Sequence, residues 1–156
     1  MLQNSSATPP LSPTVATTPP ANITGKSGMR LSVRTSLNGI SVLVVEDSWH
    51  VASAIKSVIE NAGMEVVALA ATVTDAERIL AKHSPEVAVV DINLHGEETY
   101  GVIEQLFSAS IPVIIISGYE VLPAFTERAE AILKKPIRAS VLLGTLQRIA
   151  SERGPK

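Results

Sequence analysis

Five positions in this chain carry side chains that act well in company and poorly alone. Glu46 and Asp47 are adjacent, Asp91 stands alone after four small or branched apolar residues, Ser117 ends the run IPVIIIS, and Lys135 directly precedes Pro136. Three carboxylates brought together repel one another, and without a cation at least one would hold its proton more tightly than usual. A hard divalent cation relieves that repulsion, and carboxylate, carbonyl and water oxygens are the ligands that Mg2+ takes. The same ion draws a phosphoryl group in by its oxygens. Asp91 is then placed to attack phosphorus as a carboxylate nucleophile and form an aspartyl phosphate. The Lys135 ammonium would offset charge growing on the phosphoryl oxygens, and the Ser117 hydroxyl would donate to another. Together these are the parts of a phosphoryl transfer to a carboxylate.

This chemistry requires the five residues to meet, and the hydrophobic rhythm of the chain says how. Ile40–Glu46, Met64–Ala70, Glu86–Asp91, Ile111–Ser117 and Ala129–Lys135 are apolar runs of strand length, the pattern of strands covered on both faces. Between them lie helical spacings. Val51, Ala52, Ile55, Val58, Ile59 and Ala62 stop at Gly63. Ala76, Ile79 and Leu80 follow a cap at Thr72 or Thr74. Val102, Ile103, Leu106 and Phe107 mark a short helix over 100–109. Val141, Leu142, Leu146 and Ile149 form the inner face of a last helix over 138–153. Residues 118–128 are ambiguous, and Pro123 limits any helix there to a short one. Alternating strands and helices predict an α/β fold, a doubly wound five-stranded parallel sheet. In such sheets ligands bind at the carboxyl ends of the strands. Glu46-Asp47, Asp91, Ser117-Gly118 and Lys134-Lys135-Pro136 all fall at those ends. Lys134 is read as a solvated charge and left out of the site.

The segment 1–39 has a different character. Five of the ten prolines fall in its first twenty residues, among Ser, Thr and Ala. It is expected to be a disordered Pro/Ser/Thr-rich tail, with order beginning at Ile40 after an Asn38-Gly39 turn. Residues 40–153 form the domain, and 154–156 are a short tail. The whole is 46% apolar with aromatics at only 3%, so Val, Ile, Leu and Ala must build the core. A net charge of −2 argues against a strongly basic nucleic-acid surface. No apolar run approaches the roughly 20 residues needed to span a bilayer, and no secretory leader is visible. With no cysteine, a reducing compartment fits, and the cytoplasm is the default expectation.

On these residues the chain resembles the receiver domains of two-component response regulators over 40–153. The matching pieces are VLVVED with the acidic pair Glu46-Asp47, VVDINL with Asp91 at the phosphoacceptor position, IIISG with Ser117 at the hydroxyl position, and LKKP with Lys135. The resemblance implies a flavodoxin-like (β/α)5 fold with strand order 2-1-3-4-5. It carries over Asp47, Asp91 and the main-chain carbonyl of Asn93 as metal ligands, with Glu46 direct or through water. DINLHGEETYGVIEQL and IPVIIISGYE are similar to bacterial stand-alone receivers that read Phe-Ala-Thr-Gly near the end of strand four and have a shortened fourth helix. The sequence departs from the family where many members have proline, at His95, and where many have an aromatic switch residue, at Ile132. Tyr119 is an alternative aromatic. His95 is read as a loop residue beside the site, and Trp49 as packed.

The function so implied is a single-domain response regulator. It would accept a phosphoryl group on Asp91 from a histidine kinase or phosphotransfer protein, with Mg2+. It would then signal through an unidentified downstream protein or serve as a phosphoryl shuttle or sink. It would catalyse only its own phosphorylation and dephosphorylation, with no nucleic-acid or membrane partner; a homodimer through the last helix is left open. The competing reading is a receiver-shaped adaptor that is not phosphorylated. No glycine-rich loop of the Walker or dinucleotide type follows strand one.

Overall fold

The computed structural model describes residues 37–154; the expected tail over 1–36 and residues 155–156 lie outside the described residues. The five long strands are β1 (Ser41–Val45), β2 (Glu65–Ala70), β3 (Val87–Asp91), β4 (Val113–Ser117) and β5 (Ala131–Lys134). All pair in parallel, in the order β2-β1-β3-β4-β5. The helices are α1 (Trp49–Asn61), α2 (Val73–Leu80), α3 (Tyr100–Ser108) and α4 (Ala139–Arg153). In place of a helix between β4 and β5 there is one short 3-10 helix, Ala124–Arg128. The fold is the doubly wound, flavodoxin-like sheet expected from the alternation, with a shortened fourth helical connection.

The uninterrupted apolar runs have a plain cause. The central strands β1, β3 and β4 are sandwiched, so each alternate residue meets a different helical layer. Val42, Val44, Val89, Ile114 and Ile116 face α1 and α4 through Ile55, Ile59, Leu142 and Leu146. Leu43, Val45, Val90, Ile115 and Val113 face α2 and α3 through Ala76, Val102, Ile103 and Leu106. β2 and β5 are the edges, and only Ala70 and Leu133 among their residues are buried.

Local chemistry sets the boundaries. The Thr72 hydroxyl oxygen accepts the Asp75 N–H at 3.0 Å and caps α2, so Thr72 rather than Thr74 starts that helix. Gly63 ends the first helical section with φ at +90°, and a Cβ there would lie 2.3 Å from Asn38 Oδ1. That close approach joins the start of the described chain to the end of α1, aided by the Gly39 N–H donating to the Gly63 carbonyl at 3.0 Å. Leu37 is consequently buried in the α1–α4 layer, ahead of the expected start at Ile40. Val141 is a correction. It was expected on the inner face of the last helix, yet it is 46% exposed, while Leu142, Leu146, Ile149 and Ala150 are buried. Neighbouring apolar residues lie about 100° apart on a helix, and only one can point straight at the sheet. The 3-10 segment is tied to α3: Arg128 donates to Glu104 at 3.1 Å and lies 4.4 Å from the centre of the Phe107 ring.

Candidate functional site

Parallel strands end together, so the residues just past β1, β3, β4 and β5 share one rim. Glu46 follows β1 directly; its N–H donates to the Ala70 carbonyl of β2 at 2.9 Å, which extends the ladder by one residue and holds the side chain inward. Asp91 is the last residue of β3 and is 3% exposed. Ser117 is the last residue of β4 and is fully buried. Lys135 follows β5, its N–H donating to the Ser117 carbonyl at 3.0 Å. The Lys135–Pro136 peptide bond is cis.

The predicted residues meet. One carboxylate oxygen from each of Glu46, Asp47 and Asp91 lies within 4.8 Å of the others. The Lys135 ammonium donates to Asp91 Oδ2 at 2.5 Å and sits 3.5 Å from Glu46 Oε2. Asp91 Oδ1 accepts the Asn93 N–H at 3.0 Å, and the Asp91 carbonyl accepts the Thr99 hydroxyl at 2.7 Å. Both ends of this residue are therefore anchored. Glu46 Oε1 accepts the Ser48 N–H at 2.9 Å, but Oε2 is buried and accepts no hydrogen bond.

The electrostatics follow from that inventory. Burial drives the Glu46 carboxyl up from 4.5 to about 7; the Ser48 N–H pulls the other way, and the charge of Asp91 adds to the rise. Burial alone would lower Lys135, but its hydrogen bond to Asp91 and the charges of Asp91 and Glu46 outweigh that and raise it. One ammonium thus serves two acids while a third stands beside them. Three oxygen donors, one of them buried and accepting no hydrogen bond, fit a hard divalent cation.

The remaining sequence expectations divide. Ser117 Oγ accepts the Tyr119 N–H at 2.9 Å, so the hydroxyl shapes the turn after β4 and keeps its own proton to donate. Asn93 opens a small antiparallel hairpin, Asn93–Leu94 against Glu97–Glu98. Lys134 pairs with Glu120 at 2.9 Å in solvent, away from the site, as expected. Ile132 is partly exposed on the edge strand. Trp49 is a correction: it was read as packed, but it is 75% exposed as the first residue of α1. The apolar stripe of α1 runs through Ala52, Ile55 and Ile59, and position 49 precedes the sheet contact.

His95 lies in a loop beside the site, as expected, but its contact with one of the site acids was not foreseen. It forms the tip of the hairpin with Gly96, and its Nδ1 contacts Asp47 Oδ2. Both tip residues have positive φ, +50° and +88°, the geometry of a two-residue hairpin turn. The signal available was His-Gly four residues after Asp91, flanked by residues too few to show a strand period.

Known proteins with this pattern bear on the site. The response regulator receiver domain family matches residues 42–147. A C4-dicarboxylate transport transcriptional regulatory protein, DctD, of Pseudomonas aeruginosa is 31% identical over 116 residues, 69% of this chain and 24% of that protein. A protein-glutamate methylesterase/protein-glutamine glutaminase of Natronomonas pharaonis is 28% identical over 111 residues, 65% of this chain and 30% of its own length. The chain therefore spans a third or less of these relatives. Among solved structures, the receiver domain of the PhyR response regulator of Erythrobacter litoralis superposes with a TM-score of 0.68 at 23% identity, covering 78% of this chain and 98% of that one. A CheY-like receiver domain from Methanospirillum hungatei gives 0.67 at 23% identity, covering 74% and 97%. These likenesses concern the fold. Among the described residues no helix is long and apolar enough to cross a membrane.

Proposed function

The chain belongs to the response regulator receiver domain family, and from that premise we propose that it is a phosphorylation switch with Asp91 as the phosphoacceptor. The observation that carries the reading is the convergence on Asp91 of two further carboxylates and one ammonium at the end of a buried strand. In the proposed reaction an Asp91 oxygen forms a bond to phosphorus while the donor's phosphorus–nitrogen bond breaks, the donor being the phosphohistidine of a histidine kinase or phosphotransfer protein. The hydrogen bonds from Asn93 and Thr99 fix the carboxylate and its main chain for that attack. Lys135 is already paired with Asp91 and neutralises charge on the arriving group. Ser117 has a hydroxyl proton to offer to a phosphoryl oxygen.

Glu46, Asp47 and Asp91 would hold Mg2+, with the main-chain carbonyl of Asn93 as a further donor. When bound, the ion would supply countercharge to the phosphoryl oxygens and remove the repulsion among the acids. Beyond this self-modification no catalytic turnover is proposed. Output would pass to a downstream protein by contact, or the phosphoryl group would pass on. A cytoplasmic setting suits such a partner set.

The test is Mg2+-dependent labelling by acetyl phosphate and by a panel of histidine kinases. Wild type is expected to label and Asp91→Asn to lose all labelling while keeping its circular dichroism spectrum. Labelling that persists at a comparable rate in Asp91→Asn places the chemistry elsewhere. Trp49, exposed two residues past Asp47, is a built-in reporter: its fluorescence is expected to shift with Mg2+ and beryllofluoride. Silence from a folded protein in both assays favours the unphosphorylated adaptor.

A further inference from the structure

One side chain of metal-binding type reaches the rim without belonging to the predicted site. His95 Nδ1 contacts Asp47 Oδ2, although its side chain is 82% exposed. Packing therefore does not hold the ring there; the hairpin does. Asn93 Oδ1 accepts the Gly96 N–H at 2.8 Å, and the Thr99 N–H donates to the Ile92 carbonyl at 3.0 Å, closing the loop at its base. Two-residue turns of this geometry ordinarily place Asn or Asp before the glycine. Here an imidazole takes the first position, at φ +50°. Lys135 faces Glu46 and Asp91, so the third acid has its own basic neighbour.

Imidazole Nδ1 donates to a carboxylate when it bears a proton and ligates a metal when it does not. Replacing that proton, released to water, with a divalent ion converts the contact into shared ligation of the ion by Asp47 and His95. Mg2+ gains little from nitrogen, whereas imidazole suits ions of the Co2+ and Zn2+ class. We infer that His95 is an additional metal ligand, through Nδ1, which biases this site from Mg2+ toward a borderline transition ion. The inference rests on the cation site proposed above, where Glu46 Oε2 is buried and accepts no hydrogen bond.

The experiment titrates the full chain with Mg2+ and with Co2+ separately. It is followed by Trp49 fluorescence and, for Co2+, by visible absorption, in wild type, His95→Asn and His95→Ala. Asparagine suits the positive φ and so preserves the turn. Oxygen-only sites also favour Co2+ over Mg2+, so the readout is the change in that ratio on substitution. Both variants are expected to weaken Co2+ about tenfold or more, to leave Mg2+ within about twofold, and to alter the Co2+ spectrum. A substitution that moves both ions equally, including one that tightens both by freeing Asp47, overturns the inference and leaves the Mg2+ site standing. A folded wild type that binds neither ion overturns both.

Discussion

The interior of the sheet and its carboxyl rim are built from neighbouring residues on opposite principles. Within β1, β3 and β4, apolar side chains alternate between two helical layers and nearly all are fully buried. Each contact there supports the next. One residue farther along, three acids crowd together, two of them share one lysine, and a buried oxygen of Glu46 accepts no hydrogen bond. There the interactions compete. The difference teaches that the stability of this fold is stored where no chemistry is proposed. The rim can stay electrostatically unsettled because the strands beneath it leave the charged groups no room to separate.

That contrast can be broken most sharply by setting Asp91→Asn against Ile115→Ala. The first is expected to abolish labelling and to leave the urea midpoint equal or higher, because it removes one of the repelling charges. The second deletes a fully buried side chain and should cost about 2–5 kcal/mol in urea unfolding while leaving labelling of the folded fraction in place. A marked loss of stability in Asp91→Asn would mean that the rim is structural after all.

A finer test uses pH. Folded Glu46 holds its proton to about 7, against an ordinary value of 4.5. Between those values the folded state binds more protons than the unfolded one, so stability falls as pH rises through the window. A shift of this size corresponds to up to about 3 kcal/mol. In EDTA, wild type is expected to lose stability from pH 4.5 to 7, and Glu46→Gln to show a flatter profile over the same range. Parallel profiles would remove the case for competition at the rim. The smallest effect belongs to a helix cap outside the cluster of acids and lysine. Thr72→Ala deletes the cap on α2 and should cost about 1 kcal/mol in the same urea assay, with no change in labelling.

The sheet was legible in the sequence because strands covered on both faces leave unbroken apolar runs, and β1, β3 and β4 are covered on both faces. The gathering of Glu46, Asp47, Asp91 and Lys135 was legible for a related reason: parallel strands end at one rim, so chain position alone implied proximity. Other features carried no comparable signal. The strands of the hairpin at 93–98 have two residues each, too few for any period to show. Trp49 sits at the first position of α1, where hydrophobicity does not imply burial because the helix has not yet reached the sheet. Val141 and Leu142 are equally apolar neighbours, and helical geometry rather than residue type decides which faces inward. Leu37 is buried beside a turn in which Asn38 closes on Gly63, a pairing between positions 25 apart.

The hairpin that follows β3 leaves Asp91 and returns to it. The Thr99 hydroxyl grips the Asp91 carbonyl, and the Thr99 N–H grips that of Ile92. A loop closed on its own root has no slack to absorb motion. Its root lies at the residue proposed to be modified, and its tip carries the imidazole that touches Asp47. A shift of the Asp91 main chain is therefore expected to reach Asp47 through the loop as well as across the site.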